Sequence, residues 1–358
     1  MKIVSIVGAR PQFVKAAVVS KALKNVGIKE VMIHTGQHYD YNMSALFFKE
    51  LKIKAPGYNL GIGAMGRREM ITRMRKEIEG KIKIEKPSCV LVYGDTNSTL
   101  AGTLAAKYRA LPVVHVEAGL RSFNKKMPEE QNRIATDLRS DLLLCPTKTA
   151  VANLKKEGIE NGVKLVGDVM YDALLAFLPV AVKKSKILKK LGLKKNGYFL
   201  VTLHRAENTD SKNRLSSILK ALFEIAAHKK IVMPLHPRTK KYLNAYGLLE
   251  EASRKIRFIE PVGYLDNLVL MKNSCKICTD SGGMQKEAYL LKIPCLTMRS
   301  ETEWVETVKT GWNVITGANT GKIIKEGMKG LVLKKHPDLY GDGSASIKIA
   351  VIIKEKYS

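Results

Sequence analysis

Short apolar runs rich in β-branched residues alternate along the chain with longer amphipathic stretches, the pattern of a parallel sheet covered by helices. In the first half the runs are Ile3–Val7, Glu30–His34, Cys89–Tyr93, Pro112–Val116, Leu142–Cys145 and Lys164–Val166. The second half restarts with Tyr198–Leu203, Ile231–Leu235, Ile256–Ile259, Lys276–Thr279, Pro294–Met298 and Asn313–Ile315. Between the halves, Pro179 to Asn196 is Lys-rich with little strand character. The pattern predicts two doubly wound α/β domains, over 1–170 and 171–343. A final amphipathic helix over 344–358 is expected to pack back on the first domain.

Ligands of such sheets bind at the carboxyl ends of the strands, beside helix N-termini. The polar clusters of this chain stand there. Gly8-Ala9-Arg10-Pro11 follows the first run, and Pro11 suits a first helical position. Backbone N–H groups at that turn, the Arg10 guanidinium and Lys15 one turn on predict an anion site. Ser281-Gly282-Gly283 opens a helix in the second half in the same way, with Glu287 one turn inside and able to accept from ribose hydroxyls. Asp95 and Glu117 end two predicted strands, and Pro128-Glu129-Glu130 reads as a helix start. Carboxylates with a histidine, His204, are proton-transfer groups. Reactive residues in both halves imply a cleft between two facing domains.

Two glycine motifs imitate nucleotide loops. Gly61-Ile62-Gly63-Ala64-Met65-Gly66 matches G-x-G-x-x-G, but only Tyr58-Asn59-Leu60 precedes it, where a dinucleotide site needs a long buried strand. Gly317 to Lys322 is one residue short of a P-loop, and Ile323 stands where a Ser or Thr should hold magnesium. Both are expected to be loops.

The chain has 358 residues and a net charge of +28. That charge suits polyanions or phosphorylated substrates, or a Lys-rich solvated surface. Dispersed lysines and 6% aromatic residues argue against a single-strand nucleic-acid platform. No apolar run approaches the ~18 residues of a membrane span. The opening run is too short for a signal peptide, so the expected location is the cytoplasm. Five cysteines, among them Cys275-Lys276-Ile277-Cys278, lack the second pair of a zinc site and read as core thiols.

A set of motifs spread over nearly the whole chain then adds a family resemblance. It comprises Gly8–Gln12, Thr35-Gly36-Gln37-His38, Gly94–Thr99, His115–Ser122, Met127–Arg133, Leu203-His204-Arg205, Asp280–Glu287 and Tyr340–Ser344. Together they resemble the non-hydrolysing UDP-N-acetylglucosamine 2-epimerases. The resemblance implies two Rossmann-like domains in a GT-B arrangement, a homodimer, and interconversion of UDP-GlcNAc and UDP-ManNAc with no cofactor, neither nicotinamide nor metal. It assigns catalysis to Asp95, Glu117 and Glu129, with His204 near the diphosphate. Substrate binding would use Arg10, Lys15, Ser281, Gly282, Gly283 and Glu287.

The chain departs from the family pattern in places. Thr302-Glu303-Trp304 replaces Thr-Glu-Arg, and Tyr264-Leu265-Asp266-Asn267 replaces Tyr-Leu-Pro-Phe. Many similar bacterial enzymes require UDP-GlcNAc at a second site, built from the segment after Thr-Gly-Gln-His and a second arginine after the histidine. Here these are Tyr39–Asn42 and Ala206, which implies a weakened second site unless Arg67, Arg68 or Arg238 compensates. Alternatives are a 2-epimerase of a UDP-diacetamido-glucuronic acid, a GT-B glycosyltransferase, and a polyanion-binding protein.

Overall fold

The structure is a computed structural model and describes residues 1–37, 48, 50, 51, 53–330 and 335–358. His38 and the segment Tyr39–Asn42 lie outside the described residues. The chain divides into two units, Met1–Phe177 with Asp338–Ser358, and Leu178–Pro337.

The first unit is built on a seven-stranded sheet. Its strands are β1 (Lys2–Val7), β2 (Lys29–His34), β3 (Tyr58–Asn59), β4 (Cys89–Tyr93), β5 (Val113–Val116), β6 (Leu142–Cys145) and β7 (Val163–Leu165). Their order is β3-β2-β1-β4-β5-β6-β7, with every pairing parallel. All residues of β4 and β5 are buried, as strands covered on both faces require. One face packs Val4, Ile6, Val90 and Val92 against Met74, Ile78 and Ile82 of the helix Arg67–Glu85.

The second unit repeats the plan with β8 (Tyr198–Thr202), β9 (Lys230–Pro234), β10 (Arg257–Ile259), β11 (Lys276–Thr279), β12 (Cys295–Thr297) and β13 (Asn313–Ile315). The order is β10-β9-β8-β11-β12-β13, again parallel. In each sheet the chain order reverses beside its first strand, at β1/β4 and at β8/β11. Such a reversal opens the crevice where open α/β sheets bind ligands.

Three features differ from the pattern expected of the sequence. Strand β3 is an edge strand of two residues after Pro56-Gly57, too short to leave a periodic signal. The helix Val169–Lys184 runs through Pro179 and across residue 170, so part of the expected linker is helical. Residues from Asp338 onward, rather than from 344, belong to the first unit. There the helix Ala345–Tyr357 packs on the helix Arg10–Asn25. Asp172 caps its start, accepting from the N–H groups of Ala345 (3.1 Å) and Ser346 (2.6 Å).

All five cysteines are free thiols. Burial pushes Cys278 up to about 12, which makes it unreactive. Between Cys275 and Cys278, the Lys276 ammonium donates to the carbonyls of Glu326, Gly327 and Lys329 at 2.7–3.0 Å, closing the C-terminal end of the helix Thr320–Met328. Gly321 and Lys322 of the P-loop imitation form the first turn of that helix, capped by Asn319. Among the described residues, no helix is long and apolar enough to cross a membrane. Nor does any group of three or more His, Cys, Asp or Glu among them stand ready for a metal ion.

Candidate active site

Gly8 leaves β1 against the Thr35 and Ser98 hydroxyls, which hydrogen-bond to each other at 2.8 Å; a Cβ at Gly8 would run into both. Gln37 ties this corner further, accepting from the Ser98 N–H (3.0 Å) and hydroxyl (2.8 Å). The expected anion loop is built differently from its sequence signature. Gln12, buried in the first turn of the helix Arg10–Asn25, accepts from the N–H groups of Gly8 (2.7 Å) and Ala9 (3.0 Å). Its amide nitrogen donates to the Tyr93 carbonyl (2.8 Å) and the Thr99 hydroxyl (3.0 Å). Those two N–H groups therefore serve the side chain of their own turn, and Arg10 beside them is half-buried.

Lys15, also expected to meet a phosphate, is buried and paired with Glu117. Glu117 follows β5 at φ +72°, a left-handed conformation rare for a side chain of its size. Gly94 follows β4 at φ +61°, and a Cβ built on it would lie 3.0 Å from Glu117 Oε2 and 3.3 Å from Lys15 Nζ. Asp95 comes next, its side chain 30% exposed, with Oδ2 accepting from Arg133 Nη2 at 2.6 Å. Asp95 and Glu117 thus leave neighbouring strands side by side, each with a cation on it.

The third acid comes from the helix Pro128–Asp137. Glu129, half-buried, stands in its first turn beside Glu130. Glu130 is the structural member of that pair. Fully buried, it accepts from the N–H groups of Ser122 (2.9 Å) and Phe123 (3.0 Å) and from Arg133 Nη1 (2.7 Å). Asn132 on the same helix donates to the Asp95 carbonyl at 2.9 Å.

In the second unit, His204 leaves β8 with its side chain 33% exposed. Its N–H and that of Arg205 donate to the buried Asp280 carboxylate at 2.9 Å each, and its ring lies 5.2 Å from that of His236. Ser281, next to Asp280, stands at the N-cap position of the helix Gly282–Leu290 without a side-chain cap bond. The two glycines play different parts. A Cβ on Gly282 would strike the Glu303 carboxylate, whereas Gly283 faces open space. The close approach expected for a phosphate at Gly282 is therefore taken by Glu303, leaving Gly283 as the bare position. Glu287 is buried and accepts from the Tyr264 hydroxyl at 3.0 Å. Burial, then the charge of Glu287, holds the Tyr264 phenol well above its ordinary pKa. Trp304 is buried under Lys286, whose Nζ sits 4.1 Å from its ring centre. Nearby, buried Arg299 pairs with Glu303 at 3.0 Å.

The gathering places Asp95, Glu117, Lys15 and the Glu129 helix in the first unit, and His204, Ser281, Gly282, Gly283 and Glu287 in the second. Sequence reasoning passed over Gln12, Arg133 and Asp280 as members of the site. Asp280 carried a signal, being a strand-end aspartate before a glycine pair.

The description UDP-N-acetylglucosamine 2-epimerase belongs to the family model that matches residues 21–354. A UDP-N-acetylglucosamine 2-epimerase homolog of Methanococcus maripaludis is 51% identical over 99% of both chains. A UDP-2,3-diacetamido-2,3-dideoxy-D-glucuronate 2-epimerase of Pseudomonas aeruginosa is 49% identical over 98% of both. Among solved structures, the UDP-GlcNAc 2-epimerase of Methanocaldococcus jannaschii in complex with UDP-GlcNAc and UDP superposes with a TM-score of 0.94. It is 44% identical, over 99% of this chain and 100% of that one. Two parallel Rossmann-like sheets of the GT-B type, with carboxylates at their switch points, and these likenesses along the whole chain agree: the chain is an enzyme of the non-hydrolysing UDP-N-acetylglucosamine 2-epimerase family.

Proposed function

We propose that this enzyme interconverts UDP-GlcNAc and UDP-ManNAc by elimination and re-addition of UDP. The observation that carries the reading is the side-by-side exit of Asp95 and Glu117 from β4 and β5, with Arg133 on one and Lys15 on the other. The hydrogen on sugar carbon 2 is not beside a carbonyl, so simple deprotonation is too costly. In this reading one carboxylate takes that proton while the bond from carbon 1 to the UDP oxygen breaks. The electron pair of the C–H bond forms the double bond of 2-acetamidoglucal, and that of the C–O bond leaves with UDP. UDP then adds back to carbon 1 as another acid delivers a proton to the opposite face of carbon 2. The sequence is redox-neutral. Asp95, Glu117 and Glu129 share the proton transfers. Arg10 of the first unit, and Ser281, Gly283 and His204 of the second, steady the departing diphosphate, as preorganised donors do for developing charge. Glu287 holds ribose hydroxyls, and Lys15 keeps a compensating charge against Glu117. We place the activity in a cytoplasmic homodimer.

One observation favours a second reading, a more acidic sugar. The relative named for UDP-2,3-diacetamido-2,3-dideoxy-D-glucuronate is 49% identical, between the 51% of the Methanococcus maripaludis UDP-N-acetylglucosamine 2-epimerase homolog and the 44% of the Methanocaldococcus jannaschii UDP-GlcNAc 2-epimerase. A chain of net charge +28 also suits an additional carboxylate. Proton NMR in heavy water tests both readings. With UDP-GlcNAc, deuterium is expected at carbon 2 of both epimers without added NAD or metal. A kcat/KM at least tenfold higher for the diacetamido-glucuronate would move the assignment to that sugar, and turnover without exchange would exclude proton abstraction at carbon 2.

A further inference from the structure

We propose that the buried His115–Asp137 pair is a positioning device for Asp95 and Glu117, fixing where the ends of β4 and β5 present those carboxylates without itself touching substrate. The proposal rests on the reading that these two acids transfer protons.

His115 lies within the otherwise apolar strand β5 and is fully buried. Its Nε2 is 2.8 Å from the Gly94 carbonyl and its Nδ1 is 2.7 Å from Asp137 Oδ1. A carbonyl oxygen can only accept, so Nε2 donates to it. Asp137 ends the helix Pro128–Asp137, where the helix dipole disfavours an acid. Two donors answer that: Asp137 Oδ2 accepts from the Gly119 N–H (3.1 Å) and from Arg121 Nη1 (2.7 Å). Arg121 in turn grips both oxygens of Glu157 at 2.7 and 2.6 Å. Burial by itself would raise the Asp137 pKa, but the hydrogen bond and charge of His115 and those of Arg121 outweigh it, holding the carboxyl below its usual range.

The lever is the Gly94 peptide. His115 holds its carbonyl, its Cα stands against the Lys15–Glu117 pair, and Asp95 follows it directly. The helix that ends in Asp137 also sends Arg133, from its middle, to Asp95, so it reaches the β4 turn directly through Arg133 and by way of His115 through Asp137. Gly94, Glu117 and Gly119 all take positive φ, and the network bonds to residues in or between those turns. A buried charge network adds little net stability over apolar packing of the same volume. What it adds is geometry, and displacements well under 1 Å in a reacting group change rates severalfold.

The test is Asp137→Asn and His115→Gln, measured with whichever UDP-sugar the wild type turns over. Calorimetric titration with UDP counts folded sites. Per folded site, kcat is expected to fall tenfold or more, with KM and the UDP Kd within threefold of wild type. A merely structural role lowers the folded fraction and leaves kcat per site within threefold, and that result overturns the proposal. Should neither buried variant fold, Glu157→Gln at the partly exposed end of the network decides. A kcat lowered about threefold supports the proposal, and an unchanged kcat overturns it. Asp95→Asn and Glu117→Gln are run in parallel, because near-normal turnover in both refutes the catalytic reading rather than the positioning.

Discussion

Gly94 and Gly61 form a matched pair of perturbations. Their φ angles are +61° and +62°, so alanine meets nearly the same left-handed strain at each. That strain costs about 1–2 kcal/mol. In a unit of this size it lowers Tm by roughly 2–4 °C per kcal/mol. The surroundings differ. A Cβ on Gly61 meets nothing within 4 Å, whereas one on Gly94 comes within 3.0 Å of Glu117 Oε2 and 3.3 Å of Lys15 Nζ. Both atoms end flexible side chains, so they give by a few tenths of an ångström rather than blocking the fold. A misplacement of ~1 Å is worth about 10²-fold in rate, so a few tenths correspond to about threefold to tenfold. Gly61→Ala is therefore expected to lose stability and keep its kcat. Gly94→Ala should lose a similar stability and also drop kcat by about threefold to tenfold at nearly constant KM. Thermal unfolding and initial-rate epimerisation on both proteins give the comparison. Equal kcat in the two variants would refute the placement of the Gly94 turn, with the Lys15–Glu117 pair against it, at the reacting centre.

Amide replacement of Asp95, Glu117 or Glu129 should lower kcat by ~10²-fold or more, the scale of a positioned acid or base; near-normal turnover in Asp95→Asn removes that residue from the chemistry. Arg10→Ala should weaken UDP binding in calorimetric titration through loss of a charge-assisted contact, since Gln12 leaves the loop few N–H groups with which to compensate. The depressed pKa of Asp137 contributes stability that is present above the ordinary carboxylate value of ~3.9 and is lost as pH falls below it. The stability gap between wild type and Asp137→Asn in denaturant titrations should thus be flat above pH ~5 and narrow below pH ~4. With UDP-ManNAc as sole substrate we expect immediate hyperbolic turnover. Arg238 is bound to both oxygens of Asp210 and Arg67 to Gln131 and Asn132, so neither stands ready to replace the arginine absent at Ala206. A lag abolished by trace UDP-GlcNAc would show that effector control survives.

Strand β4 was legible because both of its faces are covered, so the run is apolar from end to end, and β8 departs from that only at Thr202. Strand β3 was not, since two residues carry no period, and Pro179 masked a helix that accommodates it. Candidate residues were legible by position: in a parallel sheet, whatever polar residue ends a strand beside the switch point faces the crevice. Roles that depend on side-chain direction were not. Nothing in Gly8-Ala9-Arg10-Pro11-Gln12 tells that Gln12 folds back on the first two N–H groups, or that Lys15 reaches the end of β5. His115 looked like one polar residue in an apolar strand. Its meaning lies in Asp137, 22 residues on, and only the packed helix brings the two together.

The discontinuous first unit reverses the usual order in which a growing chain matures. Domains tend to fold as the ribosome delivers them, the earliest first. Here residues 178–337 emerge as a finished unit, while the unit begun at Met1 still awaits residues 338–358. Until residues 338–358 emerge, the helix Arg10–Asn25 lacks the cover that Ala345–Tyr357 gives it through buried Ile349, Ala350 and Ile353, and Asp172 has no helix start to cap. The nascent protein therefore carries a mature downstream half on an unfinished upstream one. Loss of the helix Ala345–Tyr357 alone therefore strikes the half that holds Asp95 and Glu117, far along the chain from those acids.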